Sequence, residues 1–266
     1  MNKFIIFGQE RSGTTSLISA LNKNDNVVHE PLSSLSGDIR DNVKLNNIIT
    51  KLGMEPSNLP KSKHIPYFNK FNDLTVSYDN IKCYFDEIFS TFDGVKHIWC
   101  TVAEKGNENL IRYCIDNKIK ILFQYRLSLF DAAISWQLGN QTQVWQLGEK
   151  LENKKKIDNF NFKPLQEDQI KRRISWYQNM IPTYKLLADH GDCMKVIYES
   201  VFSKLSTFRE EYFYRICEFL GVKYFDENNF ENFIMKKRKV YTEDHYSGIP
   251  NYKEMQKKYG SEMLYL

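Results

Sequence analysis

The feature that most constrains the fold is a short apolar strand followed by a glycine loop and a helix. Residues Phe4–Phe7 form an apolar run, and the loop Gly8–Thr15 has the spacing Gly-x4-Gly. From Thr14 to Leu21 apolar residues recur at helical spacing. Consecutive backbone N–H groups and the dipole of a helix N-terminus together hold an anion. This order therefore predicts a phosphate-binding loop in an α/β protein.

Further strand and helix patterns alternate along the rest of the chain. Strands are predicted at Val27–Val28, 95–102, 119–125 and 194–198, and helices after residue 79, over 170–184 and after the capping box of Thr207 and Glu210. Asp79 is expected to cap the first of these helices, which stops at Gly94, Pro182 to kink the second and Gly221 to end the third. Strands separated by helices predict an α/β three-layer sandwich with a central, mostly parallel sheet.

Length and composition fit one such domain and exclude several other classes. Of the 266 residues, 42% are apolar, which is enough for a substantial core. The net charge of +4 is too small for a general nucleic-acid binder. Apolar runs fall far short of the roughly 20 residues of a membrane span, and no secretory signal pattern is present. The five scattered cysteines lack zinc-site spacing and are expected to be reduced core residues. We expect a single cytoplasmic domain, 1–266, without a metal.

The glycine loop lacks the lysine of nucleotide triphosphatases. Thr14 stands where that lysine follows the second glycine, and Arg11 instead supplies a cation inside the loop. Without the lysine no side chain of the motif reaches β- and γ-phosphates, and the magnesium-binding pattern is also absent. The loop therefore favours a monophosphate end of a nucleotide, the alternative being an ordinary glycine turn in a Rossmann-like sheet.

The string RSGTTSL, residues 11–17, resembles the 5′-phosphosulfate loop of sulfotransferases that use 3′-phosphoadenosine 5′-phosphosulfate (PAPS). The resemblance implies that Arg11 takes the loop's Lys/Arg position and that Ser12, Gly13, Thr14 and Thr15 bind the 5′-phosphate. In sulfuryl transfer the leaving group is a phosphate oxygen that gains negative charge. A guanidinium and fixed N–H donors aimed at that oxygen lower the barrier.

Two later segments resemble other parts of the same family. Residues 125–136, YRLSLFDAAISW, resemble the 3′-phosphate segment and imply that Arg126 and Ser135 hold that phosphate, although the serine follows by nine residues where many members have eight. Residues 196–200, VIYES, resemble the "YEDL" strand end and imply Tyr198 as an adenine contact. The basic run Lys236–Lys239 sits where many relatives reach the 3′-phosphate; a solvated charge run is the alternative.

The end of the second strand offers two candidates for the catalytic base, His29 and Glu30. The string VHEPL resembles the "EPL" segment of carbohydrate-type and bacterial sulfotransferases, which implies Glu30, with a basicity improved by a half-buried cleft. Strand alternation places His29 on the opposite side, and it stays open as the competitor. Lys96 is a further candidate contact to the sulfonate, whereas His97 is expected to be structural.

Taken together, the resemblance implies a PAPS-dependent sulfotransferase that releases the desulfated nucleotide PAP and needs no metal. Glu30 and Arg11 would be its catalytic residues, and a carbohydrate or small molecule its acceptor. Insertions at about 32–94 and 139–167 are expected to line the acceptor site. The alternatives are a nucleotide or nucleoside kinase with a degenerate Walker loop and a non-catalytic nucleotide-binding protein.

Overall fold

The computed structural model describes residues 2–21, 26–32, 43–52, 77–102, 104–145, 151–188, 190, 192–202, 205–222 and 240–265. At its centre lies a five-stranded sheet in the order β2-β3-β1-β4-β5, and every pairing between these strands is parallel. The strands are β1 Phe4–Gly8, β2 Val27–His29, β3 Gly94–Ile98, β4 Lys120–Tyr125 and β5 Cys193–Ile197.

Helices cover both faces of this sheet. The described helices are α1 Thr14–Leu21, α2 Val43–Lys51, α3 Tyr78–Thr91, α4 Glu104–Asp116, α5 Leu129–Thr142, α6 Leu151–Asp158, α7 Glu167–Gln178, α8 Ile181–Ala188, α9 Tyr198–Val201, α10 Ser206–Leu220, α11 Glu243–Ser247 and α12 Tyr252–Tyr259. Phe4 and Ile6 of β1 join one apolar cluster with α1 and α10, whereas Ile5 and Phe7 join the larger cluster on the other face. Alternate residues of a buried strand therefore serve two cores, and the predicted three-layer α/β fold is confirmed.

The strand order places the glycine loop at a switch point of the sheet. From β1 the chain moves to β2 on one side, whereas β4 and β5 lie on the other side of β1. Ligands of open parallel sheets bind beyond the carboxyl ends of the strands at such a point. The loop that follows Gly8 lies there. Among the described helices none is long and apolar enough to cross a membrane.

Several predicted boundaries differ from the observed ones. Strand β3 ends at Ile98 rather than at residue 102, because Trp99–Thr101 turn into a 3-10 helix. Ser77, not Asp79, caps α3, since its side chain accepts a hydrogen bond from the backbone N–H of Asn80. Gly94 begins β3 instead of ending the helix.

The later helices also depart from the predicted pattern. Residues 170–184 belong to two helices, and Pro182 occupies the second position of α8, where its missing N–H costs no helical bond. Thr207 and Glu210 form no capping box, because α10 begins after Leu205 without a side-chain cap. Gly221 does end α10, with a left-handed φ of 68°. Of the five free cysteines, Cys83 is exposed rather than part of the core.

Candidate nucleotide-binding and catalytic site

The loop between β1 and α1 is hydrogen-bonded to the end of β4. The backbone N–H of Gln9 donates to Gln124 O at 2.9 Å, and its side-chain Oε1 accepts from Arg126 N at 2.9 Å. Ser12 is wholly buried, and its Oγ donates to Gln9 O at 2.6 Å. The Ser12 hydroxyl thus stabilises the loop itself and leaves only its backbone N–H for a ligand.

Two loop residues adopt left-handed backbone angles. The φ of Arg11 is 65° and that of Gly13 is 79°. A Cβ on Gly13 would lie 2.5 Å from the ring of Phe202 and 3.1 Å from that of Tyr198. Gly13 is therefore required both by its backbone angle and by the close aromatic neighbours. Its carbonyl accepts from Leu17 N at 3.1 Å, as α1 begins.

Substituting Gly13 by alanine should destabilise the protein by about 1–3 kcal/mol, because the added methyl meets strain and a packed ring at once. Gly248→Ala is the matched control: its φ is −77°, the nearest atom to a Cβ is 3.5 Å away, and we expect a change within about 0.5 kcal/mol. Urea unfolding measures both variants. Equal effects would contradict the assigned role of Gly13.

The guanidinium of Arg11 spans from the loop to α5. Its Nε and Nη2 each donate to Ser135 Oγ at 3.1 Å, and Nη1 donates to Trp145 O at 2.8 Å. The guanidinium also lies 5.4 Å from the centre of the Trp145 ring, which fills the space left at Gly139. Two residues predicted separately thus meet. Over the described part of the chain, no carboxylate lies within ion-pair distance of Arg11.

Arg126 lies at the carboxyl end of β4 with only 4% of its side chain exposed. Its Nη2 donates to Asp131 Oδ2 at 3.4 Å, Glu199 Oε1 lies 3.7 Å from its Nε, and its guanidinium stacks 4.6 Å from the Tyr198 ring. Burial lowers the pKa of Arg126, but the surrounding phenol and carboxylate groups raise it above its usual value. Asp131 and Ser135 share one face of α5, four residues apart. The predicted nucleotide contacts therefore lie at the carboxyl ends of the strands.

Tyr198 itself occupies a different element from the one predicted. It begins the short helix α9 instead of ending β5, which stops at Ile197. The residue is buried, and its ring lies 4.6 Å from that of Phe202, centre to centre. The Tyr198 side chain therefore packs beneath the loop, and its ring is the surface on which the Arg126 guanidinium stacks.

Lys96 of β3 joins the end of β2 to the start of α1. Its Nζ donates to Glu30 Oε1 at 2.5 Å and to Thr15 Oγ1 at 2.9 Å, and the side chain is 5% exposed. Glu30, 22% exposed, has a φ of 48°, and its backbone N–H donates to Lys96 O at 2.7 Å. Sequence reasoning treated Lys96 only as a sulfonate contact and missed this pairing.

The pKa of Glu30 moves in the direction opposite to the one expected. Burial raises the pKa of this carboxyl, but the charge and hydrogen bond of Lys96 outweigh burial and hold it below the usual value of 4.5. The prediction that a half-buried cleft makes Glu30 a stronger base is therefore wrong. Glu30 is an ionised carboxylate at neutral pH, with Oε1 held by Lys96.

His97 faces the core. It is wholly buried, with Nε2 2.9 Å from Asn107 Oδ1 and Nδ1 3.3 Å from Thr101 Oγ1. Burial lowers its pKa to about 4, so the imidazole is neutral at physiological pH. In the described residues no group of three or more His, Cys, Asp or Glu side chains is placed to hold a metal.

A further group of residues beside the loop was missed from the sequence. We call it the Arg173 cluster; its members are Glu10, Trp99, Trp136, Arg173, Trp176 and Tyr177. Arg173 Nη2 donates to Glu10 Oε2 at 2.6 Å, and its guanidinium lies 4.2 Å from the Trp136 ring centre. The sequence offered one hint of this cluster: Trp136 directly follows Ser135, which was itself a predicted site residue. The basic run Lys236–Lys239 lies outside the described residues.

Comparison with known proteins gives distant structural similarities. No protein-family model and no curated protein matches the chain. A mouse sulfotransferase, SULT7A1, complexed with PAP is similar with a TM-score of 0.43 and 11% identity, over 89% of this chain and 64% of that chain. A sulfotransferase from Alicyclobacillus acidocaldarius is similar with a TM-score of 0.45 and 14% identity, over 98% of this chain and 92% of that chain. The chain thus spans less than two thirds of the mouse protein.

Proposed function

We propose that this protein transfers a sulfuryl group from PAPS to a hydroxyl or amine acceptor and releases PAP. The observation that carries the proposal is the pair of cations beside the loop. Arg11 lies inside it without a carboxylate partner among the described residues, and Lys96 reaches Thr15 at the start of α1. An anion in the loop would meet both charges together with the backbone N–H groups, as a departing phosphate requires.

The residues present fit a nucleotide that carries phosphates at both ends. Arg126 Nε and Gln9 Nε2 are buried donors that lack a hydrogen-bond partner. Leaving such a donor unpaired costs about 1–3 kcal/mol, so acceptor oxygens from a ligand would stabilise this region. Arg126 would hold the 3′-phosphate and Tyr198 would contact the adenine. The loop N–H groups of Gly13 to Thr15 would hold the 5′-phosphate.

Ser135 links the two phosphate positions. Its Oγ accepts two hydrogen bonds from Arg11, which leaves its own O–H as a donor. The proton of that hydroxyl therefore points away from Arg11 and would donate to an oxygen supplied by a ligand. Arg11 would thus orient the 3′-phosphate contact as well as neutralise charge at the 5′ end.

When bound, PAPS would supply the sulfuryl group and the phosphate that leaves with PAP. Glu30 would accept the proton of the attacking hydroxyl or amine at Oε2, because Oε1 is held by Lys96. Protonation of Glu30 would remove the negative partner of Lys96. The ammonium would then be uncompensated at the moment when negative charge develops on the leaving oxygen.

Calorimetric titration tests this function directly. We expect PAP to bind without magnesium at least about tenfold more tightly than ADP, because the 3′-phosphate adds charge-assisted hydrogen bonds. Arg126→Lys should erase most of that difference, while Arg112→Lys, an exposed arginine on α4, should not. A preference for ATP with magnesium would contradict the proposal and favour a kinase.

A further inference from the structure

The Arg173 cluster gathers aromatic rings around one cation, whose side chain is 15% exposed. The guanidinium of Arg173 lies 4.2 Å from the Trp136 ring centre, 4.6 Å from that of Trp176 and 5.6 Å from that of Tyr177. Trp99 meets Trp176 edge-on at 5.6 Å. Three of the four tryptophans in the chain therefore lie together beside the loop that carries Glu10.

Three polar atoms of this cluster are buried without a hydrogen-bond partner. They are Trp99 Nε1, Arg173 Nε and the hydroxyl of Tyr177. The first two can only donate, and burial raises the pKa of Tyr177, so its hydroxyl stays protonated and can donate as well. A folded protein rarely leaves several buried donors unpaired, since each costs about 1–3 kcal/mol. The cluster therefore lacks a partner that accepts.

The chemistry of that partner follows from the donors. Water and sugar hydroxyls accept but also donate, so each would need a further acceptor of its own. The oxygens of a carboxylate or a sulfate group accept only. Glu10 accepts from Nη2 of Arg173, which leaves Arg173 Nε and the two neutral donors for such an accepting group.

The position of the cluster connects it to the acceptor side of the site. Trp99 follows β3 directly, and β3 carries Lys96, whose Nζ donates to Glu30 Oε1. The predicted nucleotide contacts Arg126 and Tyr198 lie instead just beyond the ends of β4 and β5. A ligand on the Arg173 cluster would thus be on the Glu30 side of the loop, opposite the predicted adenine position.

We propose that the Arg173 cluster binds a carboxylate or sulfate group of the acceptor, so that the preferred acceptor is an anionic molecule and not a neutral alcohol. This inference rests on the proposed function for the identity of the second substrate. Its binding chemistry, however, is independent of PAPS. Trp99, Arg173 and Tyr177 are the donors to the anionic group, and Glu10 holds Arg173 in place.

Matched sugars test this assignment by tryptophan fluorescence and calorimetry with the full chain. Glucuronate and glucose 6-sulfate should each bind at least about tenfold more tightly than glucose, and the tighter of the two identifies the anionic group. Tyr177→Phe should weaken the binding of that sugar about five- to tenfold. It should leave the melting temperature unchanged or raised, because the lost hydroxyl has no protein partner.

Tyr241→Phe is the matched control. Its equally buried hydroxyl contacts Thr142 Oγ1 at 2.6 Å and donates to Val144 O at 2.9 Å. That variant should lower the melting temperature by a few degrees without changing the affinity for glucuronate. If Tyr177→Phe behaves in the same way as Tyr241→Phe, buried water satisfies the donors and the inference is wrong.

Three further outcomes separate this inference from the proposed function. If PAP displaces the anionic sugar competitively, the anion site belongs to the nucleotide and the assignment to the acceptor is overturned. PAP binding with no preference for the anionic sugars would overturn this inference alone. Selective binding of an anionic sugar without any affinity for PAP would support the site and overturn only the proposed sulfuryl transfer.

Discussion

Exchanging Glu30 for glutamine should lower the turnover number about 10²–10⁴-fold, because a positioned base is lost. The amide oxygen of glutamine can still accept from Lys96, so the hydrogen-bonded geometry around Lys96 and Thr15 should persist without the ion pair. The affinity for PAP is expected to stay within about a factor of three. Initial rates with PAPS and an acceptor, together with calorimetry for PAP, measure the two quantities separately.

Two comparisons make the Glu30 result specific. Glu254→Gln, an exposed side chain on α12, should leave the rate unchanged. His29→Gln removes the competing candidate and should change turnover far less than Glu30→Gln. The opposite ranking would make His29 the base, and a wild-type protein that binds PAP without any turnover would be a nucleotide-binding module.

Replacing Lys96 by methionine should destabilise the protein by about 3 kcal/mol at pH 7, since it leaves the Glu30 carboxylate half-buried and unpaired. For a chain of this size that corresponds to a fall in melting temperature of roughly 6–12 °C. Lys82→Met is the matched control. Its ion pair with Asp86 has a similar N–O distance of 2.6 Å, but both side chains are 46% exposed. We expect a loss of only about 0.5 kcal/mol there.

The pH dependence of the same variant has a definite sign. In the wild type, Lys96 holds the pKa of Glu30 below 4.5, so the pair stabilises the fold above that pH and less as pH falls through the lowered value. Without Lys96, burial raises the pKa of Glu30, and the carboxyl is protonated at a higher pH. The stability difference between wild type and Lys96→Met should therefore shrink from pH 7 to pH 4. A difference that stays constant would exclude the pair as its cause.

Local patterns in the sequence predicted the parts of the fold that depend on neighbours along the chain. The run Phe4–Phe7, the spacing from Gly8 to Gly13 and the helical periodicity after it together specify β1, the loop and α1. The parallel sheet followed from the alternation of strands and helices. Trp99 was assigned to β3 because an apolar run does not show where a buried strand turns into a 3-10 helix.

The contacts that define the candidate site depend on tertiary structure and could not be predicted from local sequence patterns. Glu30 and Lys96 meet because β2 and β3 pair in a register that sets His29 opposite Lys96. That register joins segments more than sixty residues apart, separated in part by the predicted insertion at 32–94, much of which lies outside the described residues. The meeting of Arg11 with Ser135 likewise depends on the position of α5 relative to the loop.

A crystal structure of the protein with PAP, grown without magnesium, tests the central claim most directly. The account predicts the 5′-phosphate within hydrogen-bond distance of the backbone N–H groups of Gly13 to Thr15 and of Arg11. It also predicts the 3′-phosphate on Arg126 and Ser135. PAP bound elsewhere, with no phosphate at the loop, would contradict it.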